Sequence, residues 1–258
     1  MNRTKFLRLA VAAAVLGLGH GALAANTSYD LERLWLDPSA RGSLVLGDGE
    51  TLPQAGARLG IAGGWERAPL VLREPGLRGA GLFSNGHRIG DVVKARWTLH
   101  LVGAVGLTDR LELGLRVPIT LSQKGSDLTG QGFPELRDRD LGTISGMVRY
   151  GISRQASGAP VNTAVALEAG VPVDRVTDLD GDPGVTIVPR FEIGRRYERF
   201  VLGADVGANL RTSPVKLTGD EKLHHEVTAG LLAATAGRPV RLEATLRGAF
   251  NADGLGAP

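Results

Sequence analysis

The chain has 258 residues and no cysteine, so a disulfide framework and a thiolate metal site are both excluded. Its formal charge of +3 comes from Arg3, Lys5 and Arg8 near the N-terminus, which leaves 27 basic against 27 acidic residues in the rest. A balanced chain has no long-range field for an anionic polymer, and nucleic acid is therefore excluded as a partner.

Residues 1–24 have the pattern of a secretory signal peptide. Three basic residues precede the apolar run Leu9–Leu18, which is too short to span a membrane, and Ala22-Leu23-Ala24 supplies a small-x-small cleavage site. We expect export to the periplasm and removal of this segment. Residues 25–53 are predicted to be an extended N-terminal segment that lies inside or beneath the domain that follows.

Nine later runs alternate between apolar and polar side chains. A period of two is a strand signal, and runs of this length exceed the usual five or six residues of soluble strands. Strands of about 9–11 residues cross a bilayer in closed barrels. The fold class is therefore predicted to be all-β, an antiparallel up-and-down transmembrane β-barrel. The runs are Gln54–Glu66, Asp91–Gly106, Leu111–Ser122, Asp140–Ser153, Ala159–Pro172, Gly184–Arg196, Arg199–Arg211, His225–Ala236 and Pro239–Asn251.

The connections between these runs alternate in length. Long ones such as Ala68–Gly90 and Val173–Pro183 are separated by short ones such as Leu107–Arg110 and Tyr197-Glu198. Outer-membrane barrels have long external loops and short periplasmic turns, so the bacterial outer membrane is the expected location and its lipid the expected partner. Bacterial barrels have even strand numbers. About nine strands therefore leave two interpretations: a count that is wrong by one strand, or an incomplete barrel over residues 54–258 that is truncated at the C-terminus, which is the favoured expectation.

Six aromatic residues are predicted to form two belts at the membrane interfaces. Each lies on the apolar parity of a strand or beside a strand end, which is where barrels place aromatic girdles. The outer belt contains Trp65, Trp97 and Phe250, and the periplasmic belt contains Tyr150, Tyr197 and Phe200.

The polar parity of the strands carries the charged residues, and it is predicted to line the lumen because charge facing lipid is costly. Two interpretations stay open for this lining: a charged pore with a mild anion preference, or an interior filled by arginine–glutamate pairs. The predicted lining residues are Arg58, Lys94, Arg96, His100, Glu112, Arg116, Arg149, Glu168, Arg190, Glu192, Asp205 and Arg247.

Neither a cofactor nor an enzyme activity is expected from the sequence. Asp178, Asp180 and Asp182 resemble the start of a calcium loop, but the position of the required twelfth-residue glutamate is Pro189. An Asp-rich turn is the preferred interpretation, with a surface calcium site as the alternative. His100 lies inside a strand without a recognisable nucleophile motif beside it, so no catalytic residue is predicted.

Two further features of the sequence are the set Leu31–Leu34, Gly42–Gly47 and Pro69–Leu72, and the hairpin Ala104–Gly114. Both resemble the N-terminal barrel region of OmpA-family outer-membrane proteins. The resemblance implies a barrel followed by a peptidoglycan-binding domain, so peptidoglycan is an expected partner only through a domain that is not in this sequence.

Three functional hypotheses follow from these patterns. The first is a structural outer-membrane barrel that serves envelope integrity, and the second is a passive porin or transporter for small solutes. The third is a soluble periplasmic sandwich, which would bury its apolar faces between two sheets.

Overall fold

The computed structural model describes residues 35–73, 88–127, 136–173, 184–213, 215–216, 222–223, 225–236 and 240–252. Their architecture is all-β, with nine long strands. In chain order these strands are β1 (Ala57–Arg73), β2 (Arg88–Gly106), β3 (Leu111–Lys124), β4 (Ile144–Ser153), β5 (Asn162–Val171), β6 (Thr186–Arg196), β7 (Phe200–Arg211), β8 (Glu226–Thr235) and β9 (Glu243–Asn251).

Each long strand pairs antiparallel with the next along the chain, which gives an up-and-down sheet in the order β1 to β9. This sheet is curled into an incomplete barrel, as the sequence predicts. Within the described residues, β1 and β9 each have one unpaired edge. Because the order alternates in direction, these two edge strands run the same way.

Three smaller elements accompany the long strands. Asp140–Leu141 adds a short antiparallel pair to β3, and Val215–Lys216 pairs with Lys222–Leu223. The turn between β4 and β5 contains a short 3-10 segment, Gln155–Ser157, which ends at Gly158 with φ of 86°. The left-handed φ at this position favours glycine.

The strand ends place all short connections on one side of the sheet. Residues 107–110 and 197–199 are tight turns, whereas the C-terminal ends of β1 and β3, which precede the longer connections, lie on the opposite side of the sheet. In the first tight turn, the Thr108 hydroxyl accepts the backbone N–H of Leu111 at 3.0 Å, which satisfies a donor that the turn would otherwise leave unpaired.

Burial follows the predicted parity along the central strands. In β6, for example, every second residue from Thr186 to Gly194 is buried, and the residues between them are exposed. The buried positions of the sheet carry most of its charged side chains, and the exposed positions carry leucine, valine, isoleucine and aromatic residues. The sheet therefore has a polar concave face and an apolar convex face.

The first strand differs from its prediction. Rather than ending at Glu66, β1 continues to Arg73, with a register shift between Arg67 and Leu70. Pro69 lies within this shift. Proline has no N–H to donate and is tolerated on an edge strand or at a bulge, which is the position it has here. Both ends of the predicted loop Ala68–Gly90 therefore belong to strands, residues 68–73 to β1 and residues 88–90 to β2.

Candidate functional site

The concave face is organised around one buried cation, Arg149 of β4. Its Nη1 donates to Glu112 Oε1 of β3 at 2.7 Å, and its Nε lies 2.9 Å from Glu192 Oε2 of β6. Its Nη2 also forms an ion pair with Asp37 Oδ2. All four side chains are at most 1 % exposed. One guanidinium thus joins two strands on either side of β4 to the N-terminal segment.

Asp37 belongs to residues 35–52, which we call the inner segment because they lie against the concave face. Burial alone would raise the pKa of the Asp37 carboxyl, but the Arg149 guanidinium outweighs that cost and the pKa is lowered. Asp37 Oδ1 also accepts the N–H and the hydroxyl of Ser39, at 2.9 and 2.8 Å. Asp37 therefore carries a full negative charge where the inner segment meets Arg149.

A second ion-pair cluster surrounds Glu168 of β5. Arg116 of β3 reaches its Oε1 at 2.9 Å, and Arg190 of β6 reaches its Oε2 at 3.0 Å. The Ser145 hydroxyl on β4 donates to the same carboxylate at 2.5 Å. Both carboxylate oxygens are paired, so the two guanidinium groups share one carboxylate and the cluster ties β3 to β6 across the concave face.

Farther along the sheet, Arg211 of β7 and Glu226 of β8 form another buried pair at 2.7 Å. Neither residue is among the lining residues predicted from the sequence. Glu226 opens the weakest of the nine alternating runs, and Arg211 closes its own run. The alternation continues through both positions, and this is the signal that could have identified them.

The inner segment descends toward the tight turns. Its Leu52 donates its backbone N–H to Glu112 Oε2 at 2.8 Å, and the Thr51 hydroxyl donates to the carbonyl of Asp109 at 2.9 Å. Glu112 therefore binds Arg149 with one oxygen and the inner segment with the other. This double role fixes the segment to the same network that joins the strands.

Apolar packing anchors the segment at Leu46, which is fully buried. It contacts Val201 of β7 and Leu232 and Ala234 of β8. Leu36 and Leu52 of the segment are also buried. Together with buried wall residues such as Met147 and Val188, these side chains form the apolar part of an interior that also contains ion pairs and hydrogen bonds.

The inner segment bridges the two edge strands, β1 and β9, at their N-terminal ends, on the side of the tight turns. Arg58 of β1 donates to the carbonyl of Ala40 at 2.9 Å, and Arg241, which precedes β9, donates to the carbonyl of Arg41 at 2.9 Å. Because the two acceptors are on consecutive residues, the segment holds both free edges at a limited separation.

The start of β9 makes a further contact with the segment. The Glu243 carboxylate accepts the Ser43 hydroxyl and, at 3.1 Å, the backbone N–H of Leu44. The Ser43 oxygen in turn accepts the N–H of Val45 at 2.9 Å. The bend of the inner segment at Ser43 is thus fixed both by β9 and by its own backbone.

Trp35 extends the contacts across the interior. The Arg116 guanidinium on β3 lies 4.6 Å from the centre of its ring, and the Arg247 guanidinium on β9 lies 5.6 Å from it. Stacking of guanidinium on an aromatic face is favourable for both partners. The ring therefore links the β3 wall to the β9 wall near the middle of the interior.

Glycine replaces a side chain at six inward positions that face the inner segment. A Cβ atom added at each would meet atoms of Pro38, Leu46, Asp48, Thr51 or Leu52 at contact distance or closer. Gly194 and Gly203, a cross-strand pair on β6 and β7, both face Asp48. The sheet therefore leaves room for the segment where the segment lies. The six positions are Gly106, Gly114, Gly151, Gly194, Gly203 and Gly230.

Asp48 lies buried against this glycine pair. Burial and the neighbouring Glu50 carboxylate raise its pKa from 3.8 to about 6. Its Oδ1 accepts the N–H of Glu50 at 3.1 Å, whereas its Oδ2 has no hydrogen-bond partner among the described residues. Arg196 pairs with Glu50 at 3.0 Å rather than with Asp48.

The convex face has an apolar band between two sets of aromatic residues. Trp65 and Trp97 pair across β1 and β2 with ring centres 6.4 Å apart, and Tyr197 stacks on Phe200 at 4.4 Å. Between these sets, the outward positions of the described strands carry no charged side chain. Charge appears at Arg195, beside Tyr197.

The height of the band can be measured along β3. Tyr150 pairs with Leu111, and Trp97 pairs with Ser122, so roughly eleven residue steps separate the two levels. At about 3.4 Å per step and a strand tilt of about 40°, these steps rise roughly 28 Å. The apolar band of membrane barrels is about 25 Å tall.

Nine of the twelve predicted lining residues are buried on the concave face, and the remaining three are more accessible. Arg247 is partly buried, while Arg58 and Lys94 are exposed. Arg58 lies on the open edge strand, and Lys94 is in the upper part of β2. The nine buried residues are Arg96, His100, Glu112, Arg116, Arg149, Glu168, Arg190, Glu192 and Asp205.

Six aromatic side chains predicted for the interfaces are all exposed on the convex side or at strand ends: Trp65, Trp97, Phe250, Tyr150, Tyr197 and Phe200. The calcium alternative at Asp178, Asp180 and Asp182 lies outside the described residues. Within the described ranges, no group of three or more His, Asp or Glu side chains could hold a metal ion. In the same ranges, no helix is long and apolar enough to cross a membrane.

Comparison with known proteins adds no relative: no protein-family model matches the chain, and no curated protein matches it at a significant level.

Proposed function

We propose that the chain is an integral outer-membrane β-barrel protein with a structural role in the cell envelope. The observation that carries this proposal is the inverted polarity of the sheet, with buried ion pairs on the concave face and an uncharged apolar band on the convex face. A monomeric protein in water does not expose a continuous apolar surface of this kind. Lipid is the partner that such a surface fits.

The soluble sandwich hypothesis is disfavoured by the same polarity. A sandwich buries the apolar faces of two sheets against each other. Here most of the large apolar side chains of β3 to β8 point away from the interior, and Arg149 and Glu168 lie buried on the concave face, where a sandwich would have an apolar core. Immersed in water, this arrangement would bury charge and expose apolar side chains at once.

A structural role is favoured over an open pore because the interior is occupied. The inner segment lies across the concave face, and the Arg149 and Glu168 clusters join the walls. The charged lining still favours the porin hypothesis as a second candidate, since the interior would be polar wherever it admits water. OmpA-like membership is supported by the sequence resemblance alone.

The experiment that tests the proposal is expression of the full chain with its own N-terminus, followed by membrane fractionation. We expect the protein in the outer-membrane fraction, with a mature N-terminus at Ala25 and a gel mobility that changes on heating. Recovery in the periplasmic soluble fraction would contradict the proposal. Steady conductance of the purified wild-type protein in planar bilayers would favour the porin candidate instead.

A further inference from the structure

We propose that the inner segment is a displaceable plug, and that the protein is a closed channel for small inorganic ions that opens when residues 35–52 leave the concave face. This inference rests on the proposed outer-membrane function and extends it. It is carried by the fit between the segment and the wall, by the polar nature of their contacts, and by their opposite charges.

At six described positions opposite the segment, the wall carries a glycine in place of a side chain. Gly114 faces Pro38, Gly230 faces Leu46, and the Gly194–Gly203 pair faces Asp48. Interiors are normally filled to high density by their own side chains. Together with Gly106 and Gly151, these glycines lie on six of the nine strands, so the space that the segment occupies is distributed along the concave face.

Most contacts that hold the segment are polar, and water could replace them on release. They include the ion pair of Asp37 with Arg149, the hydrogen bonds of Ser43 and Leu44 with Glu243, and that of Leu52 with Glu112. Net gains from such contacts are small because water competes for the same groups. The polar contacts are spread along the segment, whereas the apolar anchor is at Leu46.

Charge on the two sides is complementary. The segment carries three carboxylates and one guanidinium, from Asp37, Asp48, Glu50 and Arg41. The wall opposite it carries six arginines and three glutamates: Arg58, Arg116, Arg149, Arg196, Arg241, Arg247, Glu112, Glu192 and Glu243. The channel that opens on release would therefore be polar and slightly positive, and a potassium chloride solution is the appropriate probe.

One carboxylate of the segment is poorly matched to its site. Asp48 Oδ2 is buried without a hydrogen-bond partner among the described residues, and the carboxyl has a pKa of about 6. At neutral pH a charged group is therefore held in a site that does not compensate it. Glu50 on the same segment adds repulsion, and Arg196 and Arg149 offset it only at longer range. Such a contact lowers the cost of displacement.

The test uses an engineered disulfide, the lock, that joins the inner segment to the wall. Because the chain has no native cysteine, the engineered pair has no other thiol to react with. A Cβ atom at Gly203 would lie 3.4 Å from the Cβ of Asp48. Disulfides need about 3.5–4.5 Å between Cβ atoms, so the pair D48C/G203C can join the plug to β7 with little movement. The single variants D48C and G203C are the matched controls, because neither can form the lock.

Release is promoted by Asp37→Ala, which removes the pair with Arg149 but leaves that arginine bound to Glu112 and Glu192. We expect D37A to raise the open probability in planar bilayers about tenfold over wild type, as loss of one charge-assisted contact predicts. With D48C/G203C added, D37A should be closed under oxidising conditions and should open on reduction.

If the oxidised and reduced forms of the triple variant carry equal currents, conduction does not require displacement of the inner segment, and the plug proposal is wrong. A folded D37A that opens no more often than wild type would overturn it as well. Should the triple variant fail to fold, Leu46→Ala provides a second release variant for the comparison with wild type. Heat-dependent gel mobility of each sample reports insertion separately, so a failure of the proposed outer-membrane function is seen before any current is recorded.

Discussion

The convex and concave faces of the sheet are built from the same strands but obey different rules. On the convex face, neighbours such as Leu113 and Val148 are apolar and exposed, and their environment is interchangeable. On the concave face, Arg149 has three particular carboxylate partners. The difference shows that an outward position requires only an apolar side chain, whereas an inward position requires the side chain that matches its particular partners. We call the second statement the partner rule.

The largest expected effect is the removal of Arg149 from the concave face. In Arg149→Met, three buried carboxylates lose their shared cation, and breaking a buried pair in this way costs about 3–5 kcal/mol. The measurement is the free energy of unfolding from urea titration in detergent micelles. The matched control is Arg196→Met, a partly exposed partner of Glu50, for which we expect at most about 1 kcal/mol. Similar losses in both variants would contradict the partner rule.

A charge on the convex face should be the next most damaging change. Leu115 is outward-facing and about half exposed within the apolar band. An arginine in its place would face hydrocarbon, at a cost of about 2–4 kcal/mol near the middle of the bilayer. Leu107→Arg, in the tight turn after β2, is the matched control and should cost little.

Both arginine variants would be folded into lipid vesicles, and the inserted fraction would be measured by resistance to protease. We expect a lower yield for L115R alone. Equal yields for L115R and L107R would mean that the convex face does not contact lipid, and the proposed function would fail with it.

The difference between the faces also explains what the sequence predicts. Alternation identifies the nine strands, because the two-residue period of a strand does not depend on which residues it pairs with. It also assigns charged residues such as Glu168 and Arg190 to the concave face. The end of β1 escapes prediction because Pro69 looks like a strand terminator, and only its place on an edge strand makes it tolerable.

The alternation of apolar and polar residues does not predict which interior side chains pair with each other. Arg149 and Asp37 are separated by 112 residues, and nothing in the local pattern of either predicts the other. The same holds for the glycines that face the inner segment. Gly194 and Gly203 look like ordinary strand glycines, and their role is visible only when Asp48 lies against them. Contacts of this kind require the three-dimensional register of the sheet.

Asp48 allows the partner rule to be tested through pH. Its pKa is raised from 3.8 to about 6, so the folded protein binds a proton more tightly than the unfolded chain between these values. Stability should therefore fall as the pH rises from about 4 to about 6, by up to about 3 kcal/mol from this group. In Asp48→Asn, the part of the pH dependence of the unfolding free energy that comes from residue 48 should disappear. The variant should also be more stable than wild type at pH 7.

The measurement is the unfolding free energy of both proteins across pH 4 to about 8, and the informative quantity is their difference. Carboxylates far from Asp48 contribute equally to both proteins and cancel, whereas Glu50 is coupled to Asp48 and belongs to the difference. A difference that stays constant across this range would mean that the Asp48 site compensates the charge. The mismatch that weakens the seating of the inner segment would then be absent.

The smallest predicted effect lies on the convex face, at a place where two residues have particular partners. Trp65 and Trp97 are cross-strand neighbours with ring centres 6.4 Å apart, and such pairs contribute about 0.5–1.5 kcal/mol beyond their buried area. A double-mutant cycle with W65L and W97L should give a coupling energy in this range. The control cycle, Leu113→Ala with Val148→Ala, should give a coupling near zero, because lipid replaces each side chain independently of the other. If the two cycles couple equally, the convex face is packed by partner like the concave one, and the distinction between the faces would be one of polarity only.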